Sequence, residues 1–203
     1  MTSNTNNHTS FNINNNEVAA DDKKLPGDLA MWFFILAELT VFAMFFIGFA
    51  VTEQLNQELF TAGKAQLHTT SGVINTIALI TSSLFVALSV NALHYQRIKH
   101  VTCYLILGLL CALVYLLVKG WEYQSLFSQG IDIETNTFFT LYFLITAFHF
   151  LHVVLGMVIL VFMLFKAINN TYQNEYSGFE SGACYWHMVD MLWIILFPLI
   201  YVI

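Results

Sequence analysis

The chain has 203 residues, of which 58% are hydrophobic and 10% are charged, and its formal net charge is −6. Ordinary soluble domains carry about 25% charged residues, so this composition leaves too few polar groups to cover a soluble surface. It excludes a soluble globular protein and predicts an integral membrane protein, and the acidic balance argues against a nucleic-acid partner.

Residues 1–24 differ in composition from everything that follows. Seven asparagines lie between Asn4 and Asn16, and large apolar side chains are almost absent. Such a segment buries too little surface to offset the entropy of ordering, so we expect a disordered cytoplasmic tail. It lacks the basic start of a signal peptide, and the next apolar run is too long for one, so we expect that run to remain as the first anchor.

Five apolar segments come next, each long enough to cross about 30 Å of hydrocarbon as a helix of about 20 residues. They cover approximately residues 29–51, 71–95, 101–121, 137–166 and 183–203. Ser71-Gly72 opens the second segment and Gly120 closes the third. The predicted fold is an all-α membrane protein, with residues 25–203 forming a bundle of five transmembrane helices.

Basic residues in the loops and at the ends of the spans predict the orientation of the bundle. If the N-terminus is cytoplasmic, five of them lie inside and two lie outside, in agreement with the positive-inside rule. The inner set is Lys23, Lys24, Arg97, Lys99 and Lys166, and the outer set is Lys64 and Lys119. We therefore expect a cytoplasmic N-terminus and a C-terminus on the periplasmic or outer side.

Glu38 is the first candidate functional residue, because it lies near the middle of the unbroken apolar run 31–51. It is about ten residues past the cytoplasmic end of its span, which places it roughly 15 Å deep. A carboxylate at that depth is costly and by default marks a functional site. Glu38 is either a protonatable group or a hydrogen-bonded acid that orients helices.

Two further pairs place polar side chains on single helix faces. His149 and His152 are three residues apart in the fourth span, and His187 and Asp190 repeat this spacing in the fifth. Imidazoles at this spacing can supply two metal ligands, and histidines in membrane helices also ligate haem; His94 and His187 are the only two at comparable depth on different helices. Hydrogen bonds between helices explain these residues more simply, and we expect His187 and Asp190 to bond to each other.

The second and third spans carry small or polar residues suited to close helix contact, including Asn75 and the pair Gly108 and Ala112. Charged and aromatic residues at the predicted outer end of the third span are typical of interface anchors: Lys119, Trp121, Glu122 and Tyr123. The three cysteines, at positions 103, 111 and 184, indicate small core residues rather than a disulfide framework.

The order and spacing of several motifs resemble subunit III of the haem–copper oxidase superfamily over about residues 25–203. Glu38 stands in the place of that family's carbodiimide-reactive glutamate. The other similar segments are, in chain order, Ile74-Asn75-Thr76, Trp121-Glu122-Tyr123, Thr137-Phe138-Phe139, Phe148-His149, Leu151-His152-Val153, Gly178-Phe179-Glu180, Tyr185-Trp186-His187 and Val189-Asp190. Residues 184–203 most resemble the nitric-oxide-reductase-associated branch, and five-helix subunits of bacterial quinol and cytochrome oxidases are the alternative.

The resemblance implies an accessory subunit of the bacterial plasma (inner) membrane that binds no haem, copper or other metal itself. Its implied partner is a haem-bearing subunit I-like protein that holds haem with copper or iron, alongside other oxidase subunits and bound phospholipid. The implied role is support of assembly, proton uptake and durability. Glu38 would modulate proton uptake, and a structural polar network would comprise His149, His152, His187, Asp190, Glu122 and Asn75.

Two rival functions follow from the same polar residues. A membrane b-type cytochrome would carry its own haem, and its optical spectrum would show a band from two histidine ligands. A small transporter would use Glu38 as a proton-coupled site, and flux in proteoliposomes would be lost in Glu38→Gln.

Overall fold

The computed structural model describes residues 29–169 and 177–202. These residues form six helices: α1 (Leu29–Leu55), α2 (Gln57–Lys64), α3 (Thr69–His94), α4 (Ile98–Ser128), α5 (Thr137–Ile168) and α6 (Ser177–Tyr201). All except α2 are long and apolar enough to cross a membrane. The predicted all-α fold with five membrane spans is confirmed, whereas the predicted tail at 1–24 lies outside the described residues.

Four of the long helices form a closed ring. α3 packs against α4, α4 against α5, α5 against α6, and α6 against α3, while α1 packs on the outside against α5 and α6. In the most apolar stretch of α1 only 17% of the residues are buried, compared with 56% in that of α6. The protein therefore has a four-helix core with one peripheral helix.

The third span is longer than predicted, because α4 continues past Gly120 to Ser128. Its buried face recurs every three or four residues and includes Lys119, Glu122 and Leu126. A helix continues through an isolated glycine when the turns on both sides pack against neighbours, since the propensity cost is only about 1 kcal/mol. The contacts of Glu122 and Leu126 thus override the stop that Gly120 was expected to provide.

The short helix α2 was not predicted from the sequence. It lies between α1 and α3 and buries Phe60 and Gly63. The Phe60 ring meets Phe49 of α1 and Phe138 of α5 edge to face, with centroids 5.1 and 5.3 Å away. An ion pair between Lys64 and Glu53 also ties α2 back to α1. α2 therefore covers one end of the seam between α1 and α5.

Candidate functional site

Glu38 lies on the seam where α1 meets α5. Its Oε2 atom is 3.0 Å from Nε2 of His152, and the two side chains are 20% and 11% exposed. His152 Nδ1 lies 2.8 Å from the carbonyl oxygen of Phe148, one turn earlier in α5. The structure thus brings together two of the predicted site residues, from helices far apart in the chain.

These contacts limit the hydrogen-bonded states that the pair can adopt. A carbonyl oxygen only accepts hydrogen bonds, so Nδ1 of His152 carries a proton and donates it to Phe148. Nε2 then either accepts a hydrogen bond from a neutral Glu38 or, in the imidazolium, donates one to the carboxylate. In both states the Glu38–His152 contact contains one proton and has no net charge, which permits proton movement without creating an isolated charge in the membrane.

Glu122 belongs to a second polar site, in the ring of α3–α6. Lys119 Nζ lies 3.0 Å from Glu122 Oε2, 3.0 Å from the Tyr142 hydroxyl and 2.8 Å from the Tyr201 hydroxyl. Tyr201 in turn donates to both oxygens of Glu122, at 2.8 and 2.9 Å. Neither Lys119 nor Glu122 has any solvent-exposed side-chain surface. The interpretation of these two residues as interface anchors is wrong, because the continuation of α4 turns them into the bundle.

Trp121 and Tyr123, on the same stretch of α4, have other environments. Trp121 is 57% exposed, as an interface anchor would be. The Tyr123 hydroxyl donates to Thr146 Oγ1 at 2.8 Å, which links α4 to α5.

Asn75 and His149 have no hydrogen-bond partner in the described part of the chain. Both side chains are fully buried, and both polar atoms of each are without a partner, as is the hydroxyl of Tyr115. His149 is surrounded by aromatic rings, with the Trp193 centroid 5.2 Å away and the Tyr115 centroid 6.0 Å away. The structure therefore does not connect these two residues to the predicted polar network by direct hydrogen bonds.

His187 and Asp190 both turn toward Ser83 on α3. His187 Nδ1 is 2.6 Å from the Ser83 hydroxyl, and the Asp190 carboxylate also interacts with Ser83. The predicted His187–Asp190 hydrogen bond is not formed, because the His187 imidazole bonds to Ser83 on the neighbouring helix instead. Oδ1 of Asp190 is buried without a partner.

The structure separates the two histidines that were candidate haem ligands. His187 is level with Ser83 of α3, whereas His94 lies eleven residues farther along that helix, a separation of about 16 Å. His94 Nε2 is instead 3.5 Å from Glu180. Among residues 29–169 and 177–202, no group of three or more His, Cys, Asp or Glu side chains is arranged to hold a metal ion.

The sequence reasoning missed Lys119, Tyr142 and Tyr201 as members of a buried polar cluster, whereas it included Ser83 among the small polar residues of the second span suited to close helix contact. A signal for Lys119 was present, since Tyr115, Lys119 and Glu122 recur at helical spacing on the face that also carries Gly108 and Ala112. No comparable signal marks the two tyrosines, whose hydroxyls reach Lys119 from other helices.

Comparison with known proteins shows which family this chain is similar to. Residues 20–203 match the sequence model of cytochrome c oxidase subunit III. The chain is 24% identical over 201 residues to cytochrome bo(3) ubiquinol oxidase subunit 3 of Buchnera aphidicola, covering 96% of this chain and 95% of that one.

Two other similar proteins match this chain over smaller shares of one or both sequences. The chain is 31% identical over 130 residues to cytochrome c oxidase subunit 3 of Spodoptera frugiperda, covering 64% of this chain and 86% of that one. It is 29% identical over 181 residues to the haem–copper oxidase subunit I+III of Aeropyrum pernix, covering 86% of this chain and 22% of that protein.

Proposed function

The chain belongs to the cytochrome c oxidase subunit III family, and from this premise we propose that it is an accessory subunit of a respiratory haem–copper oxidase. The observation that carries the proposal is the family match over residues 20–203. The partner is a subunit I-like protein that holds the haem and metal centres. The fused subunit I+III relative supports that kind of partner, because its name joins the two subunits in one chain.

Within that complex, Glu38 is proposed to modulate proton uptake rather than to act as an obligatory carrier. Its carboxyl oxygen lies 3.0 Å from Nε2 of His152, at a site that is partly exposed on the bundle surface. Its own helix has no second carboxylate at membrane depth to which a proton could pass, because the next acid in α1 is Glu53, near the helix end. A group of this kind can buffer or orient a proton path in a neighbouring subunit.

The proposed location is the bacterial plasma membrane, with the N-terminus cytoplasmic. The burial of Lys119 in the bundle removes it from the count of outer charges. Among the described loops and helix ends, Arg97, Lys99 and Lys166 then lie on the proposed inner side and Lys64 on the outer side. With Lys23 and Lys24 of the sequence included, as in the first count, the distribution becomes five inside and one outside, which supports the proposed orientation.

Purification from native membranes tests the proposed partnership. The membranes are solubilised in mild detergent, the tagged chain is isolated, and the co-purifying proteins and the haem spectrum are recorded. We expect a haem-bearing subunit I-like protein in stoichiometric amount. A chain that runs alone in such a preparation, with no haem protein beside it, would contradict the proposal.

The terminal electron acceptor can be identified by measuring which substrate, oxygen or nitric oxide, the same preparation consumes. The relatives described above are oxidase subunits, and we propose oxygen as the acceptor on that basis. The resemblance of residues 184–203 to the nitric-oxide-reductase-associated branch is the alternative hypothesis. Consumption of nitric oxide without consumption of oxygen would select that alternative.

A further inference from the structure

One buried layer of the four-helix ring concentrates polar atoms that have no partner. Seven buried side-chain nitrogen and oxygen atoms in the described residues lack a hydrogen bond, and five of them belong to Asn75, Tyr115 and His149. All three side chains are fully buried. This concentration is unusual, because buried polar atoms are paired with protein or ordered water in the great majority of cases.

Helix register places these three residues at one level. Ser82 of α3 donates to the carbonyl of Gly108 in α4 at 2.8 Å, which fixes the antiparallel alignment of the two helices. Asn75 lies seven residues before Ser82, and Tyr115 lies seven residues after Gly108, so the two residues lie at the same level on adjacent helices.

The other two helices of the ring complete the same layer. The Trp193 ring of α6 packs against Tyr115 and His149, with centroids 5.0 and 5.2 Å away. Trp193 Nε1 also donates to Thr76, the neighbour of Asn75, at 3.0 Å. The five unpartnered atoms are therefore enclosed by α3, α4, α5 and α6 at one depth.

We propose that this layer is a binding site for internal water. An amide, a phenol and an imidazole offer neutral donors and acceptors, and a small neutral molecule with both capacities satisfies them. A buried water makes about three hydrogen bonds, so five atoms require at least two molecules. The site is built from side chains on three different helices, and it is independent of the proposed function.

The hydrated layer lies between the two acid–base pairs. His149 is three residues from His152, the partner of Glu38, and Tyr115 is four residues from Lys119, the partner of Glu122. Phe42 of α1 packs edge to face against both histidines, with centroids 6.2 and 5.4 Å away. Both pairs already have their own hydrogen-bond partners, so the layer is a separate polar level between them, and Phe42 closes its α1 side.

A double-mutant cycle on the full chain in lipid nanodiscs tests the site. Tyr115→Phe and Asn75→Leu each remove polar atoms while retaining shape, and Thr81→Val on α3 is the control because its hydroxyl bonds only within its own helix. If water links the two residues, each substitution lowers the midpoint of thermal unfolding by about 3 °C, and the double variant loses less than the sum. If the layer is dry, both substitutions raise the midpoint and their effects add, which would overturn the proposal.

A density map that shows ordered solvent provides the second readout. It is recorded on the wild-type chain in its native complex, so it does not depend on any variant folding. We expect at least two water peaks within hydrogen-bond distance of His149, Tyr115 or Asn75. Direct hydrogen bonds among the three side chains, with no solvent between them, would refute the site even if the cycle shows coupling.

Discussion

Two acid–base pairs at membrane depth, Glu38–His152 and Lys119–Glu122, differ in what surrounds them. Glu38 and His152 lie on the outer seam of the bundle, are partly exposed, and share a single hydrogen bond. Lys119 and Glu122 lie inside the ring with no exposed surface, and all three ammonium protons of Lys119 have an acceptor. Charged side chains are costly to bury unless they are paired and hydrogen-bonded, so the enclosed pair depends on complete hydrogen bonding more than the partly exposed pair does.

The largest expected effect comes from breaking the inner pair. Lys119→Met leaves Glu122 buried without its counter-charge, so we expect a loss of about 3–5 kcal/mol in the free energy of unfolding. Lys119→Met combined with Glu122→Leu removes both charges and should recover most of that loss. The measurement is thermal unfolding of the detergent-solubilised chain, together with the fraction that elutes as a single species.

Lys64→Met is the matched control for this prediction. It removes a lysine from the partly exposed pair with Glu53 at the end of α1. We expect a change of less than about 1 kcal/mol, because exposed pairs contribute little. Equal losses in Lys119→Met and Lys64→Met would mean that burial does not distinguish the two pairs.

Glycine-to-alanine substitutions should show that the four-helix ring is more tightly packed than α1. A methyl group at Gly156 of α5 would lie 2.8 Å from the Trp186 ring of α6, whereas one at Gly48 of α1 meets no atom within 4 Å. We expect Gly156→Ala to cost about 1–3 kcal/mol through forced movement of the tryptophan. Gly48→Ala should be neutral or slightly stabilising, since alanine has the higher helix propensity. Thermal unfolding compares them, and a neutral Gly156→Ala would show that the α5–α6 seam is not tightly packed.

A smaller change in stability is expected at the outer pair. Glu38→Gln retains the shape and one hydrogen bond to His152, so the free energy of unfolding should change by less than about 1 kcal/mol. The complex should assemble and keep much of its initial activity while it loses rate or durability over many turnovers. The measurement is oxygen consumption followed until inactivation, with Thr40→Val on the same helix as the control because its hydroxyl bonds only to Leu36.

The outcome of Glu38→Gln also distinguishes a modulatory role of Glu38 from a role as an essential proton carrier. An assembled variant that has no activity from the first turnover would mean that Glu38 is an essential proton carrier. The proposed modulatory role would then be wrong, although the family assignment would stand.

The smallest effect should follow from Ser83→Ala. This substitution removes the hydroxyl that bonds to His187 and so links α3 to α6. Hydrogen bonds between membrane helices average about 0.6 kcal/mol, and we expect a loss of that order in chemical unfolding. The control is Thr81→Val, two residues earlier, whose hydroxyl bonds within α3. An unchanged stability would indicate that His187 and Asp190 do not help to hold α6 against α3.

The number, order and apolar character of the spans could be predicted because each depends on local composition. The burial of Lys119 could not, since residue counting from Gly120 placed it at the membrane surface. Its position depends on α4 reaching Ser128 and on hydroxyls from Tyr142 and Tyr201. Contacts of that kind come from helices distant in the chain, and hydropathy carries no information about them.

Residue spacing within one helix also cannot predict which neighbouring helix a side chain contacts, as His149 and His152 show. The spacing correctly put His149 and His152 on neighbouring parts of one helix surface, but about 60° of rotation separates them. His152 therefore meets α1, while His149 points among the rings of α4 and α6. The sequence pattern identifies a helix face, and only the packing of other helices determines which neighbour each residue on that face contacts.

The position of α1 in the chain has a consequence for biosynthesis. Glu38 is translated 114 residues before His152, which at about 5–20 residues per second corresponds to roughly 6–23 s. α3 and α4 are consecutive and can pair once both are inserted, whereas the helices that α1 contacts, α5 and α6, are translated last. Ribosome pausing in the segment between α4 and α5 would prolong the exposure of this acid to lipid. Codon choice in that segment is therefore expected to affect membrane yield more than codon choice between α3 and α4.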